Sequence, residues 1–455
     1  MIKKIKIYIT LAAVAFSSVS CLDKYPEDAI PEGDAIRTVE EANQAVIGIY
    51  AYMKNPNLYS GLLTLFPDLQ ADLAYAVEGY TNTYGNIWRW DILPTNTEVE
   101  AVYGTLNALI GKCNFLLERI AILEQEVDDE DYEKLQQFKG EALFARALAY
   151  SDLIKMYCKA YDPATAANEL GVVLVSSYSN TGTLKRASLK DSYQFVLDDL
   201  AQSATCLEPD ENENDESYYD TPYFTIYAVN ALYARVYLNM QEWDKAIEYA
   251  SKVIDSRKFK LSSTTEMIDS ETSYYQYMWQ YDHSTETIWK VGFTTTSYGG
   301  SLGQIFFNYD FNSFKPDYVP AEWVLNLYAD TDLRATTFFQ SYRTGYEHGL
   351  QWPLLAKYFG NQEFYEQNIL HVTMPKVFRL SEQYLIRAEA YCQKSNPEYG
   401  KGASDLTTLR QARYSNYGSA SLTEENWFKE ISEERVRELY MEGFRLNDLK
   451  RWGQQ

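Results

Sequence analysis

Histidine is scarce in this 455-residue chain: there are three, at 283, 348 and 371. That leaves little for a histidine-rich metal centre. Cysteine is scarce too, with five, and no two stand at CxxC spacing or at a zinc-like distance from a histidine. Positive charge is outnumbered, 41 Lys and Arg against 64 Asp and Glu, for a net charge of −23. A surface for nucleic acid is thereby excluded, because affinity for phosphates comes from cationic neutralisation. No catalytic signature is present: there is no GxSxG elbow, HExxH, Walker A loop or GxGxxG. The run GGSLG (299–303) lacks the strand–turn–helix setting of a phosphate loop and reads as a turn. The acidic tract DENENDE (210–216) alternates oxygen ligands like a calcium loop. It has Asp215 where an EF-hand needs glycine and Thr221 at position twelve, so it reads as a solvated loop. These absences predict no cofactor and no metal and leave no motif to support an enzyme; a pair of glycosidase carboxylates has no sequence signature among 64 acidic residues.

Long apolar runs are also missing. The longest candidate, Ile7 to Val19, is 13 residues of mostly apolar character, against the roughly 20 a membrane-spanning helix requires. It follows Lys3, Lys4 and Lys6 and leads through Ser17, Ser18 and Ser20 to Cys21. This is the plan of a secretory signal, residues 1–20, with a cysteine at the cleavage point. It predicts a lipoprotein acylated on Cys21. The aliphatic residue usual three positions before such a cysteine is replaced by Ser18. Removing 1–20 takes away three lysines and no acid, so −23 becomes −26. A chain so acidic gains nothing from anionic headgroups; a lipid and a protein partner must hold it at a membrane.

Hydrophobic residues make up 46% of the chain, enough for a folded core. A polar tether, 21–38, precedes a region of helical periodicity. In EALFARALAYSDLIKMY (141–157), Leu143, Ala147, Tyr150, Ile154 and Tyr157 recur at steps of four and three, which predicts one buried stripe. Further helices are predicted near 100–123, 188–207, 222–240, 242–255, 382–394, 402–413 and 424–452. Tyr227 to Ile254 reads as a tetratricopeptide-like pair, with Ala234 and Tyr237 on the first helix and Trp243, Ala246 and Tyr249 on the second. The Ala-x-x-Tyr unit recurs at Ala147/Tyr150 and Ala388/Tyr391, at separations that no regular 34-residue array allows. The predicted fold is therefore mostly α: one helical domain over 39–455, with insertions near 56–99, 208–220 and 260–320. Within the last, Thr285 to Phe293 reads as a short buried strand. Cys113 and Cys158 lie in helical patterns and read as small buried hydrophobes.

What the chain has in excess is tyrosine, 40 against 20 phenylalanines. Two aromatic groups fall in insertions, where a rigid scaffold places functional loops. The first contains Tyr75, Tyr80, Tyr84, Trp88 and Trp90, interleaved with Asn82, Asn86, Arg89 and Asp91. The second contains Tyr274, Tyr275, Tyr277, Trp279 and Tyr281, followed by Asp282 and Tyr298. Aromatic faces suit sugar C–H groups, while amides and carboxylates suit hydroxyls. Asn82, Tyr84, Trp88, Trp90, Tyr277, Trp279, Tyr281, Asp282 and Tyr298 are accordingly the candidate ligand-binding residues. Core packing is the competing reading for each.

The chain resembles the SusD/RagB-like surface lipoproteins of Bacteroidetes over most of its mature length. The resemblance is carried by CLDKYP (21–26), FKGEALFARALAY (138–150), GVVL (171–174), RASLKDSY (186–193), ALYARVYL (231–238), YADTDLR (328–334) and RLSEQYLIRAEA (379–390). Its most specific segment is ERVRELYMEGFRLNDLKRW (434–452), whose charges alternate as Arg435/Glu438, Glu442/Arg445 and Asp448/Arg451. Pairs at i,i+3 contribute only about 0.2–0.5 kcal/mol when exposed, so the segment reads as architectural. The family's usual proline after the early helix is Val173. The resemblance implies a helical core with four tetratricopeptide-like pairs. It also implies an outer-membrane location with surface exposure, a glycan ligand, and a TonB-dependent SusC-like transporter as partner. Peptide binding of the RagB type, a surface glycoside hydrolase and a ligand-free helical scaffold are the alternatives.

Overall fold

Asn96, Asp128 and Ser188 each turn a side-chain oxygen onto the backbone N–H three residues ahead, at 3.0 Å. They open the helices Thr97–Leu123, Asp129–Tyr157 and Leu189–Cys206. Such caps are worth about 1 kcal/mol. Acidic residues in each first turn complement the partial positive charge of the helix start. The computed structural model describes residues 35–77, 82–178, 182–207, 219–309, 311–346 and 351–454. Cys21 and the signal sequence lie outside the described residues, as do most of the tether, Tyr80, His348 and the acidic loop up to residue 218.

The stripe predicted in 141–157 is present, but it is not the only apolar face. Every residue from Gly140 to Ile154 is buried, because Val39–Met53, Thr97–Leu123 and Leu189–Cys206 pack around this helix. A helix buried on all sides shows little amphipathicity. Gly140 lets the next helix come close: a Cβ there would meet Cys206 and Leu207 side chains at 2.8 Å. The tetratricopeptide-like pair is Ile226–Asn239 with Trp243–Ile254, followed in space by Leu380–Gln393 and Tyr399–Gln411. Ala234, Ala246, Ala250 and Ala390 bring these helices close. The rings of Tyr233, Tyr237 and Tyr249 stack alongside, Tyr233 on Tyr249 at 4.2 Å. Cys113, Cys158 and Cys392 are buried free thiols.

Strands are short and pair antiparallel in twos: Ala74–Ala76 with Tyr318–Pro320, Leu170–Val173 with Arg186–Ser188, Thr287–Lys290 with Lys376–Arg379, and Phe339–Ser341 with Pro353–Leu355. Thr287–Lys290 is the buried strand expected in 285–293. One hydrophobic core lies among the long helices. A second lies under the insertions and includes Leu69, Tyr275, Trp279, Phe306, Tyr318, Val324, Leu354 and Tyr440.

The single helix predicted for 424–452 is two, Trp427–Leu439 and Arg445–Arg451. The chain turns at Gly443, whose φ of +84° favours glycine and where a Cβ would meet the Thr64 backbone at 3.0 Å. Of the charge pairs expected along it, only Asp448 with Arg451 forms, at 2.9 Å. Arg435 reaches Asp448, Glu438 takes Arg334, Arg379 and Arg413, Glu442 takes Lys357 and Arg379, and Arg445 takes Asp72. The physical reason is burial. Arg334, Arg379, Arg413 and Glu438 are sealed from solvent, so each charge is matched by the elements packed on it rather than by its neighbour along the helix.

Candidate functional site

The helix Leu62–Leu69 ends at Gln70, and the chain runs through a turn into the strand Ala74–Ala76. Three indoles converge on the carbonyls of this stretch. Trp90 donates its Nε1–H to Gln70 at 2.6 Å, Trp323 to Asp72 at 2.7 Å and Trp88 to Ala74 at 3.0 Å. A fourth, Trp352, donates to Pro320, the residue opposite Ala74 in the ladder, at 2.8 Å. An indole with its one donor spent presents only its ring to a ligand. Trp90 is 57% exposed and Tyr75, on the strand, 47%. The backbone explains how Trp88 and Trp90 both face back on 70–74: Tyr84 and Trp90 adopt φ near +60° on either side of the short helix Gly85–Trp88. Bulky residues in that conformation are unusual and concentrate at functional sites. Polar groups flank the rings. Arg445 donates twice to the Asp72 carboxylate at 2.8 Å, and its guanidinium lies 5.4 Å from the Trp323 ring.

The other predicted residues have different fates. Asn82 is buried, and its Nδ2 donates to the Asp317 carbonyl at 2.6 Å. Tyr84 packs edge-on against Phe66 at 5.7 Å, and burial raises the pKa of its hydroxyl. Trp279 is 4% exposed and lies between cations, Lys357 at 4.1 Å and Lys376 at 4.7 Å from its ring. Asp282 is fully buried and pairs with Lys376 at 2.7 Å; it also accepts from Thr373, Asn361 and the Met374 N–H. The expected role of Asp282 in selecting ligand hydroxyls is therefore closed to it in this fold: both oxygens are spent. Tyr277 and Tyr281 stack on each other at 4.8 Å, half-buried, with His283 beside Tyr277. Tyr298 is 45% exposed and stands next to Phe364. Among the described residues no ring contact joins Tyr277, Tyr281 or Tyr298 to Trp88 or Trp90. The two aromatic groups share a core rather than a surface.

Trp323, Asp72 and Arg445 were not legible as site residues. Trp323 meets Asp72 across 251 positions and Arg445 meets it across 373, and no local pattern marks any of them. Among the described residues no group of three or more His, Cys, Asp or Glu could hold a metal ion, and no helix is long and apolar enough to cross a membrane. Burial pushes the Asp68 carboxyl up to about 7. Such a group can mark an acid catalyst, but both Asp68 oxygens accept backbone N–H groups, from Gly443 at 2.8 Å and Arg445 at 2.9 Å. It anchors the last helix.

Residues 21–238 match the SusD-like family model described as starch-binding associating with outer membrane, and residues 342–455 match the SusD family model. A SusD-like protein of Formosa agariphila is 22% identical over 501 residues, covering 99% of this chain and 90% of its own. The crystal structure of a SusD superfamily protein from Bacteroides thetaiotaomicron superposes with a TM-score of 0.77 at 22% identity, covering 91% of this chain and 89% of the other. Surface glycan-binding protein A from Bacteroides fluxus does so with a TM-score of 0.68 at 18% identity, covering 92% and 89%.

Proposed function

Since the chain belongs to the SusD/RagB-like family, we propose that it is a surface-exposed outer-membrane lipoprotein, acylated on Cys21. In this reading it captures glycans without catalysis and delivers them to a TonB-dependent SusC-like transporter. The observation that carries the reading is the convergence of Trp88, Trp90 and Trp323 on the carbonyls of 70–74, beside exposed Tyr75. Rings already ordered by their own hydrogen bonds lose little entropy on stacking, which favours binding. Asp72 and Arg445 bond to each other at the edge, but the Asp72 carboxylate is half-exposed, so its remaining lone pairs stay open to hydroxyls. Contact through faces and edges, with no covalent step, leaves the ligand free to pass on. Aromatic faces with a hydrogen-bonding edge suit the starch-binding role of its family model and the glycan binding of the Bacteroides fluxus relative.

Native affinity electrophoresis through gels loaded with single polysaccharides tests the assignment. Retardation by at least one, weakened about tenfold in Trp90→Ala, is expected. No retardation across the panel, together with co-purified peptides in mass spectra, would replace the glycan by a peptide. Release of reducing ends by the purified protein would make it an enzyme.

A further inference from the structure

A cleft of about 160 Å³ opens beside the buried second aromatic group. Three segments far apart in sequence form it: the helix Tyr274–Gln280, residues 336–342 and residues 356–362. In a chain of which 23% is charged, no Asp, Glu, Lys, Arg or His lines it. Four amides do: Gln276, Gln280, Gln340 and Gln362. Gln276 and Gln340 have each committed only the amide oxygen, to the Ser273 N–H and to the Tyr342 hydroxyl. Their NH₂ groups remain to donate. Within the described chain the side chains of Gln280 and Gln362 make no hydrogen bond. The Nε1–H of Trp279, which also lines the cleft, is buried without a partner. The rings of Tyr342 and Phe359 also line it and lie near-parallel, 15° apart with centroids at 6.0 Å.

Uncommitted amides beside aromatic carbon, with no counter-ion, select for a ligand that donates and accepts hydrogen bonds and carries no charge. A charged ligand would give up its hydration for dipoles alone, with no ion of opposite sign in the lining to balance it. Size narrows the choice: an enclosed apolar cavity of about 150 Å³ admits benzene, so this open cleft takes one sugar ring with some hydroxyls at its mouth and has no room inside for a second. We propose that the cleft is a recognition pocket for one neutral sugar ring, the terminal residue of a glycan. It is lined by segments other than those of the Trp90 surface. The proposal rests on the glycan reading above, and it adds that the protein distinguishes a glycan's end from its middle.

Saturation-transfer NMR with D-glucose, D-galactose, D-mannose and D-xylose, and with D-glucuronic and D-galacturonic acid, tests it on the full mature chain. At least one neutral sugar should show transfer and the acids none. Measured in a Trp90→Ala background, so that the first surface does not contribute, Gln280→Ala with Gln362→Ala should weaken that signal tenfold or more. Gln280→Glu, a change on a half-exposed helix face, provides a second variant whose thermal unfolding checks the fold; it too should abolish the neutral signal. Equal transfer to the uronic acids, or a neutral signal indifferent to both glutamines, would overturn the pocket. If polysaccharides are still retained in gels in that event, the glycan reading stands without it. If neither sugars nor polysaccharides bind, both fall.

Discussion

Residues 70–93 and 274–298 have much the same composition, dense in Tyr and Trp and interrupted by small polar residues, yet the fold treats them oppositely. In the first, each indole N–H is fastened to a carbonyl and the rings are left at or near the surface. In the second, both indoles are buried: Trp289 donates its N–H to the Pro222 carbonyl at 2.9 Å, while Trp279 has its ring among cations and its N–H unpartnered. Those cations are themselves paired, Lys357 with Glu442 at 2.6 Å and Lys376 with Asp282 at 2.7 Å, and Arg379 nearby with Glu438 at 2.7 Å. Trp279 thus sits inside the ion network that docks the C-terminal helices. An aromatic cluster becomes a surface or a core according to what packs over its rings, and that cover comes from elsewhere in the chain.

The sharpest way to break this contrast is to remove one indole from each side. Trp279→Ala should cost about 3–5 kcal/mol in urea unfolding, as large-to-small changes in cores do, whereas Trp90→Ala should stay within about 1 kcal/mol of the parent. Equal losses would mean that Trp90 is also a packing residue. Next in size, Glu438→Gln leaves three buried arginines short of a charge and should lose about 3 kcal/mol, read from the same denaturation curves. On the binding side, Trp90→Ala should weaken polysaccharide retention about tenfold, roughly 1.4 kcal/mol. Tyr298→Ala, exposed but not part of the Trp90 surface, should change it less than twofold; a larger effect from Tyr298 would join the two regions after all.

The smallest effect concerns pH. Asp68 has its carboxyl raised in the fold to about 7 from 3.8, by burial first, so the folded state holds a proton there that the unfolded chain has released. Its contribution to stability is full below about pH 4 and is lost as pH rises through 7. Glu434 and Glu438 go the other way. Despite the opposing effect of burial, the arginines around them hold their carboxyls below the usual range, and their contribution is present above about pH 4.5 and lost as pH falls further. Denaturation midpoints should therefore be higher at pH 5.5 than at pH 7.5 and fall steeply below pH 4. A flat profile from 5.5 to 7.5 would show Asp68 to be ionised in the fold.

Much was determined by the sequence alone. Helical periodicity placed most of the long helices to within a few residues, because an apolar stripe is a local property that any packing partner must cover; it missed the polar first turns of Asp129–Tyr157 and the helix Leu62–Leu69. The tyrosines at 237 and 249 were legible as packing residues for the same reason. Trp88 and Trp90 were legible as candidates because they are aromatic and lie in an insertion. What required tertiary structure was everything settled by distant partners: the break at Gly443, which Asp68 holds, and the choice of charge pairs in 434–452. So too were the burial of Asn82, Trp279 and Asp282 and the recruitment of Trp323, Asp72 and Arg445. A hydrogen bond or ion pair is short-ranged in space and indifferent to separation along the chain, so composition can nominate an aromatic surface but only the folded arrangement decides which rings reach water.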